Sequence, residues 1–129
     1  MKTRIAALVC VVLLGLFVLV TRSCGVWPFN GVIVVINNIG SIDYESCVVN
    51  VTGHSYDLGS LPADSTLTTN VSPTGESHVE LDLSEYDGSR HHLVVDCYFE
   101  SHGYSGTIKV HLGDGQIHGV ANDIGIGFP

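Results

Sequence analysis

The sequence predicts an all-β domain, a single antiparallel β-sandwich of seven or more strands, preceded by one N-terminal apolar helix. Beyond residue 30, no segment places apolar residues at helical spacing. Short runs that alternate apolar and polar residues recur there instead, and they are separated by turns rich in Gly, Pro and Asp. Residues 1–25 differ, because they are apolar and basic. We therefore divide the chain into a helix over 1–25, a linker over 26–30 and a sandwich domain over 31–129.

The N-terminal helix has the features of a signal-anchor. Between Ile5 and Val20 there is no charged or strongly polar side chain. A helix of this length spans roughly 24 Å, which is shorter than a bilayer core of about 30 Å but exceeds the usual apolar region of a signal peptide. Arg22 follows directly, whereas cleavage regions are normally small and uncharged. These features favour a retained transmembrane helix.

Two other fates of this leader stay open. Cleavage after Ser23 would release a secreted chain that begins at Cys24, and a lipoprotein would carry its lipid on the same cysteine. In every case Lys2 and Arg4 hold the N-terminus in the cytoplasm. We expect a single-pass membrane protein with an extracytoplasmic C-terminal domain, and a secreted form as the alternative.

The charges divide the chain in the same place. Residues 1–25 carry three basic and no acidic residues, whereas residues 26–129 carry two basic and thirteen acidic residues, a net charge of −11. Such an acidic body opposes binding to nucleic acid, because phosphate recognition needs clustered Lys and Arg. The expected partners are the membrane, through the helix, and other envelope proteins.

Seven strands are predicted from alternation and β-propensity, and two further segments are late additions. In chain order the seven are Val32–Asn37, Ser46–Thr52, His54–Leu58, Thr66–Val71, His78–Leu83, His91–Phe99 and Thr107–Leu112. The additions are Ile117–Val120 and Ile124–Phe128. Because Val32–Ile36 is continuously aliphatic, we expect this strand to be buried on both faces or to lie close to the membrane-side core.

Turn chemistry separates these strands. Leu61–Asp64, Asp87-Gly88 and Asp114-Gly115 combine residues that favour tight turns. Seven short strands in a chain of this length, with turns between them, are typical of a β-sandwich. The number of residues supports one such domain and a modest core.

Four cysteines bear on stability and assembly. Cys47 and Cys97 fall on the inward side of their predicted strands, so a disulfide between them is expected in an oxidising compartment. Two buried free thiols are the alternative. Cys10 lies within the apolar run, and Cys24 remains unpaired, free or able to link two copies of the chain.

Three motifs within residues 32–71 resemble a known family of domains. Val35–Gly40 is similar to the end of the first strand in small immunoglobulin-like modules of bacterial extracytoplasmic, membrane-anchored proteins. Val49–Gly53 is similar to their second strand, and Leu58–Ser65 to their L-x-P-G-x-S corner. Pro62 directly after the leucine and Asp64 in place of the usual glycine are departures. The resemblance implies an immunoglobulin-like sandwich with an adhesive or spacer role.

The histidines supply the candidate metal ligands. A two-residue turn at Asp114-Gly115 pairs His111 with His118, and a four-residue loop over Glu100–Gly103 brings His92 beside His111. Neighbouring histidines in such a row can share Zn²⁺ or Cu²⁺, although the outer two would be too far apart for ordinary three-histidine coordination. A solvated polar face and a pH-sensitive surface are the other interpretations of this row.

The sequence lacks a motif for nucleophilic catalysis. Gly53-His54-Ser55-Tyr56-Asp57 fails as a nucleophile elbow, since no helix follows it. We therefore expect a non-catalytic extracytoplasmic binding or structural module, and not an enzyme. The alternative function is a histidine-based metal-binding envelope protein.

Overall fold

The computed structural model describes residues 31–101 and 103–126, which form eight β-strands in two four-stranded sheets. The strands are β1 (Val32–Asn38), β2 (Tyr44–Val51), β3 (His54–Asp57), β4 (Thr66–Val71), β5 (Ser77–Glu85), β6 (Arg90–Phe99), β7 (Tyr104–Gly113) and β8 (Gln116–Ile126). The prediction of an all-β fold with two sheets is confirmed. The two late additions prove to be parts of a single strand, β8, as far as the described residues extend.

The two sheets have different strand orders. In sheet A the order is β4-β1-β7-β8, and in sheet B it is β3-β2-β5-β6. All neighbours are antiparallel except β1 and β7, which run parallel. The prediction of a purely antiparallel sandwich is therefore wrong at this pair. The chain crosses from sheet B to sheet A between β6 and β7, so β7 enters beside β1 in the same direction.

The aliphatic strand β1 is central in sheet A but is not buried on both faces. Val32, Val34 and Ile36 point into the sandwich and are fully buried. Ile33, on the opposite face, is 42% exposed. Because β4 and β7 hydrogen-bond to both of its edges, the aliphatic run satisfies the β-propensity of a central strand while only one face reaches the core.

A single core lies between the sheets. Its fully buried members come from six strands and from the corner before β4: Val32, Val34, Ile36, Tyr44, Cys47, Val49, Val51, Leu61, Val71, Val79, Leu81, Leu83, Val95, Cys97, Phe99, Ile108, Val110 and Leu112. In the longer strands these residues occur at every second position, as strand geometry requires. The alternation in the sequence therefore identified the inward faces.

The predicted turns are present. At the β7–β8 hairpin Asp114 and Gly115 both have positive φ, 51° and 78°, as a type I′ turn requires. In the corner after Leu61, the Ser65 N–H donates to the Pro62 carbonyl at 3.3 Å and Asp64 has φ 57°. That geometry is typical of a type II turn, whose third position favours glycine.

Asn38 ties this corner to the end of β1. Its Nδ2 donates to the carbonyls of Ile42, Leu61 and Pro62 at 2.8, 3.3 and 3.1 Å. Its Oδ1 accepts from the Gly40 N–H at 3.1 Å. The side chain is fully buried, and these bonds satisfy its donors and its acceptor.

Several predictions concern residues outside the described ranges. These are the helix over 1–25, the linker over 26–30, the role of Cys24 and the last residues of the strand that was expected to reach Phe128. Within the part of the chain that the structure describes, no helix is long and apolar enough to cross a membrane.

Candidate functional site

The structure separates the three histidines that were predicted to form a row. His92 lies in β6 of sheet B, whereas His111 and His118 lie in β7 and β8 of sheet A. The prediction assumed that β6 and β7 form a hairpin. Because the chain instead crosses between sheets there, the expected pairing of His92 with His111 is wrong.

His111 and His118 also fail to face each other. The register of β7 and β8 shifts after His111, which pairs with Gly119. His118 is therefore an extra residue in β8 with no residue of β7 directly opposite it, as in a β-bulge. His118 Nε2 then donates to the Gly113 carbonyl at 3.0 Å, and His111 Nδ1 lies 3.4 Å from Asn37 Nδ2. Among residues 31–101 and 103–126, no group of three or more His, Cys, Asp or Glu side chains is arranged to hold a metal ion.

The predicted disulfide is likewise wrong, because Cys47 and Cys97 are both free and buried. Cys47 lies opposite Leu83, whereas Cys97 lies beyond Val95, which is opposite Val79. Four residues along a strand amount to roughly 13 Å, and two strand spacings add about 9.6 Å. Cα atoms in a disulfide lie only about 4.4–6.8 Å apart.

Burial keeps both thiols protonated. It raises the pKa of Cys47 to about 12, and the charge of Asp57 adds to that effect. Burial also raises the pKa of Cys97, whose Sγ accepts a hydrogen bond from Asn122 Nδ2 at 3.5 Å. Since the thiolate is the reactive form, neither side chain is suited to act as a nucleophile or a metal ligand.

A polar network on the outer face of sheet B is the most organised group of side chains on the surface. Ser55 Oγ donates to Asn50 Oδ1 at 2.5 Å, and Asn50 Nδ2 donates to Asp82 Oδ2 at 2.6 Å. The other oxygen of Asp82 accepts from His92 Nδ1 at 2.6 Å. His92 Nε2 lies 3.7 Å from Glu80 Oε2. The network therefore crosses all four strands of the sheet.

Strand register explains why these side chains meet. Asn50 pairs with Ser55 and with Glu80, and Asp82 pairs with His92. Directly opposed residues on one face lie about 5 Å apart at Cβ, within reach of short polar side chains. The network takes its geometry from backbone pairing, so it is held in place without being buried.

The charges within the network reinforce one another. The hydrogen bond to His92 lowers the pKa of Asp82, and the bond from Asn50 lowers it further. The hydrogen bond to Asp82 raises the pKa of His92, and the charges of Asp82 and Glu80 raise it further. Because an ionised carboxylate can only accept, the hydrogen bond to Asp82 requires the proton on Nδ1 of His92. The other ring nitrogen, Nε2, points towards Glu80.

A second cluster lies where β5 and β6 approach the β7–β8 turn. His91 Nε2 lies 2.6 Å from Glu85 Oε1, and the His91 ring packs edge-on against Tyr44, with centroids 6.1 Å apart. The hydroxyl of Tyr44 accepts from the Gly115 N–H at 2.9 Å. A Cβ on Gly115 would lie 2.8 Å from the His91 ring. These contacts join sheet B to the hairpin of sheet A.

A shallow open depression of about 420 Å³ lies along the β5–β6 pair between the two clusters. It is lined by Asp82, Leu83, Ser84, Arg90, His91 and His92. Among the lining residues, His92 bonds to Asp82, and Arg90 contributes a positive charge. The depression is open and polar, so it does not enclose a small molecule.

The outer face of sheet A is chemically different. Strand register arranges it in three rows: Asn70, Ile33, Thr107 and Asp123; Thr68, Val35, Lys109 and Ala121; and Thr66, Asn37, His111 and Gly119. On this face the negative charge of Asp123 and the positive charge of Lys109 cancel in the net charge. On the outer face of sheet B, by contrast, Asp57, Glu80, Asp82 and Asp96 outnumber the lone Arg90. Of the two outer sheet faces, that of sheet B therefore carries the greater net negative charge.

Sequence reasoning missed the Asp82–His92 pair, although a signal for it existed. The β5–β6 loop closes at Glu85 and Ser89, with three residues between them and Gly88 at positive φ. Counting outward from a three-residue turn at Asp87-Gly88 places Asp82 opposite His92. Counting from a two-residue turn shifts the pairing by one residue and hides the contact.

No protein-family model and no curated protein matches this chain. Among solved structures, the chain is similar to the NMR structure of a protein from Eubacterium rectale, at 8% sequence identity and a TM-score of 0.49. The match covers 68% of this chain and 84% of that chain. None of these comparisons assigns an activity, a ligand or a partner to this chain.

Proposed function

We propose that this chain is a non-catalytic binding module, tethered to a membrane by its N-terminal helix, whose acidic sheet B face contacts a basic partner in the extracytoplasmic space. The observation that carries the proposal is the polar network from Ser55 to His92. It presents carboxylates in a fixed arrangement, and these polar side chains bond across strands instead of converging on a cavity. Pre-arranged charges favour fast and selective encounter with an oppositely charged surface.

We further propose that the sandwich is immunoglobulin-like. The first of the motifs that resemble such modules contacts the corner motif, which follows it by more than twenty residues. Asn38, at the end of the first motif, bonds to Leu61 and Pro62 in the corner motif, and its N–H donates to the Ser65 carbonyl at 2.9 Å. Asp64, which replaces the usual glycine, adopts the positive φ that glycine favours. This contact supports a shared corner architecture.

The binding proposal is tested with a basic peptide as the probe. We would titrate octalysine into the full chain in zwitterionic detergent at about 0.1 M salt, where the Debye length is about 10 Å. The variant Glu80→Gln with Asp82→Asn removes two charges from the sheet B face. Losing two exposed charge pairs with the peptide, at about 0.2–1 kcal/mol each, implies a loss of affinity of about two- to thirtyfold.

A charge-matched variant makes this test specific. Asp64→Asn with Asp123→Asn removes the same charge from exposed positions away from the sheet B face. We expect this control to weaken binding by no more than about twofold, because distant charges are screened. Equal losses for the two variants would show that only net charge matters, and the proposed face would then be wrong.

The tether is tested by the mass and location of the mature chain. An intact chain that begins at Met1 in the membrane fraction supports a retained signal-anchor. A chain that begins at Cys24 contradicts it and favours the secreted form. This test is independent of octalysine binding, so the two parts of the proposal can fail separately.

A further inference from the structure

β8 is an edge strand of sheet A, and it packs near β6 of sheet B, where Asn122 Nδ2 donates to Cys97 Sγ. β8 spans Gln116–Ile126 and pairs on one side with β7. Among the described residues, no strand pairs with its other side. Natural proteins guard such edges with Pro, Lys, bulges or short strands, because an open row of N–H and C=O groups recruits another strand.

The other three edge strands are shorter or more charged than β8. β3 has four residues and β4 has six. β6 is long, but it carries Arg90 and Asp96. β8 has 11 residues, contains no Pro, Lys or Arg, and has Asp123 as its single charged residue; its one register shift with β7 lies near its start, after His111.

We propose that the β8 edge is a self-association surface, on which a second copy of this chain adds its own β8 antiparallel and extends sheet A across a two-fold axis. The most complete pairing of the strand with itself is centred on Ala121. This register sets Asp123 against Gly119 of the other copy and Ile117 against Gly125. It opposes no two like charges, and a symmetric dimer requires that self-complementarity.

Charge favours a second copy at this edge over the other edges. The body carries a net charge of −11, so two copies repel each other wherever their acidic faces meet. Beside β8, the outer face of sheet A balances Lys109 against Asp123, and small residues at Gly119, Ala121 and Gly125 leave the backbone accessible. The edge is therefore where two such bodies approach at the lowest electrostatic cost.

The inference goes beyond the proposed function, because it uses a different sheet and requires neither the basic partner nor the tether. A cross-linking experiment tests the axis directly. In the full chain with Cys10→Ser and Cys24→Ser, Ala121→Cys places two thiols at the two-fold axis. We expect mild oxidation to give a covalent dimer, since opposed Cβ atoms on paired strands lie within reach of a disulfide.

Thr68→Cys in the same background is the matched control. Thr68 is exposed on the same outer face, but it lies on β4 at the opposite edge of sheet A. Little dimer is expected from this variant. Equal cross-linking of both variants, or a monomer from Ala121→Cys, would overturn the proposed axis.

Charges of opposite sign introduced at Ala121 in two separate variants give a second test, because restored association in the mixture cannot result from misfolding. Ala121→Glu and Ala121→Lys each set like charges opposite one another, so each alone is expected to weaken self-association by about fivefold, measured by sedimentation in detergent. Mixing the two variants in equal amounts should restore it. A mixture no tighter than either variant alone would contradict the pairing.

Discussion

Asn38 is the one polar side chain among the fully buried described residues, and it holds the corner of the fold together. In the sequence, no local feature distinguishes Asn38 from the neighbouring Asn37. Its importance depends on carbonyls more than twenty positions away, which local pattern does not reveal. The resemblance of its motif to immunoglobulin-like modules was the single indication that it matters.

We expect Asn38→Ala to destabilise the domain by about 1–3 kcal/mol, because it removes the bonds of the side chain and leaves the Ile42 carbonyl and the Gly40 N–H without their partner, whereas the Leu61 and Pro62 carbonyls keep the N–H groups of Tyr44 and Ser65. Urea denaturation measures the change in the free energy of unfolding. Asn37→Ala is the matched control, since Asn37 is partly exposed on the outer face, and its loss should cost less than about 0.5 kcal/mol. Similar losses at the two positions would contradict the role assigned to Asn38.

The Asp82–His92 pair makes a second prediction at this scale. The imidazole pKa of His92, followed by NMR, should lie above 6.5, and Asp82→Asn should lower it by removing the largest cause of the shift. Asp96→Asn, on the same strand, should leave it nearly unchanged. If Asp82→Asn has no effect on the His92 titration, the network does not exist in solution.

The direction of each shift sets a pH window for stability. The pKa of His92 is raised from 6.5, so its contribution is complete below that pH and is lost as pH rises through the folded value. The pKa of Asp82 is lowered from 3.8, so its contribution is lost as pH falls through its folded value. The pair therefore stabilises the fold most between pH 3.8 and 6.5.

At the scale of elements, the β6–β7 connection decides which side chains meet. Alternation and β-propensity located all seven predicted strands, although β7 begins at Tyr104 and not at Thr107. A short segment after Phe99 is compatible with either a hairpin or a crossing between sheets, and local sequence does not distinguish them. The register shift after His111 is equally hidden, since a β-bulge depends on twist and packing. Both errors displaced the predicted histidine row.

The close approach of β7 and β8 predicts a strict requirement for glycine at position 106. Gly106 has φ 126°, and a Cβ there would clash with the backbone of Asp123 at the carbonyl oxygen. Gly106→Ala should destabilise the domain by about 3 kcal/mol, measured by urea denaturation.

Gly103→Ala separates this clash from backbone strain. Gly103 has φ 85°, but a Cβ there has nothing within 4 Å. Its substitution should cost only about 1 kcal/mol, the strain of a positive φ. If both alanine variants cost the same, the β7–β8 backbone contact is looser than described.

At the scale of the whole molecule, the described sandwich relies on its core and not on a disulfide between Cys47 and Cys97. The sequence placed both cysteines correctly on inward faces. It did not reveal that they lie in different parts of sheet B, because facing inward restricts direction but not position along the strand. Glu80 and Asp82 show the same limit of sequence patterns. Alternation along β5 predicts that both side chains lie on the outer face, but it does not predict which side chains of the neighbouring strands they bond.

This organisation predicts that reductant leaves stability unchanged. In the Cys10→Ser, Cys24→Ser background, Cys47 and Cys97 should resist alkylation in the folded protein, because both are buried and protonated. Without reductant, denaturation should expose two reactive thiols, counted by mass. A chain that gains no label on unfolding, and that loses stability with reductant, would restore the disulfide.

The most direct test of the central proposal is an NMR map of the full chain, in zwitterionic detergent, during titration with octalysine. The account predicts that shift changes concentrate on the sheet B face, at Asn50, Glu80, Asp82 and His92, while Thr68 and Lys109 on sheet A remain unchanged. Changes spread evenly over both sheets, or concentrated on sheet A, would contradict the assignment of the binding surface.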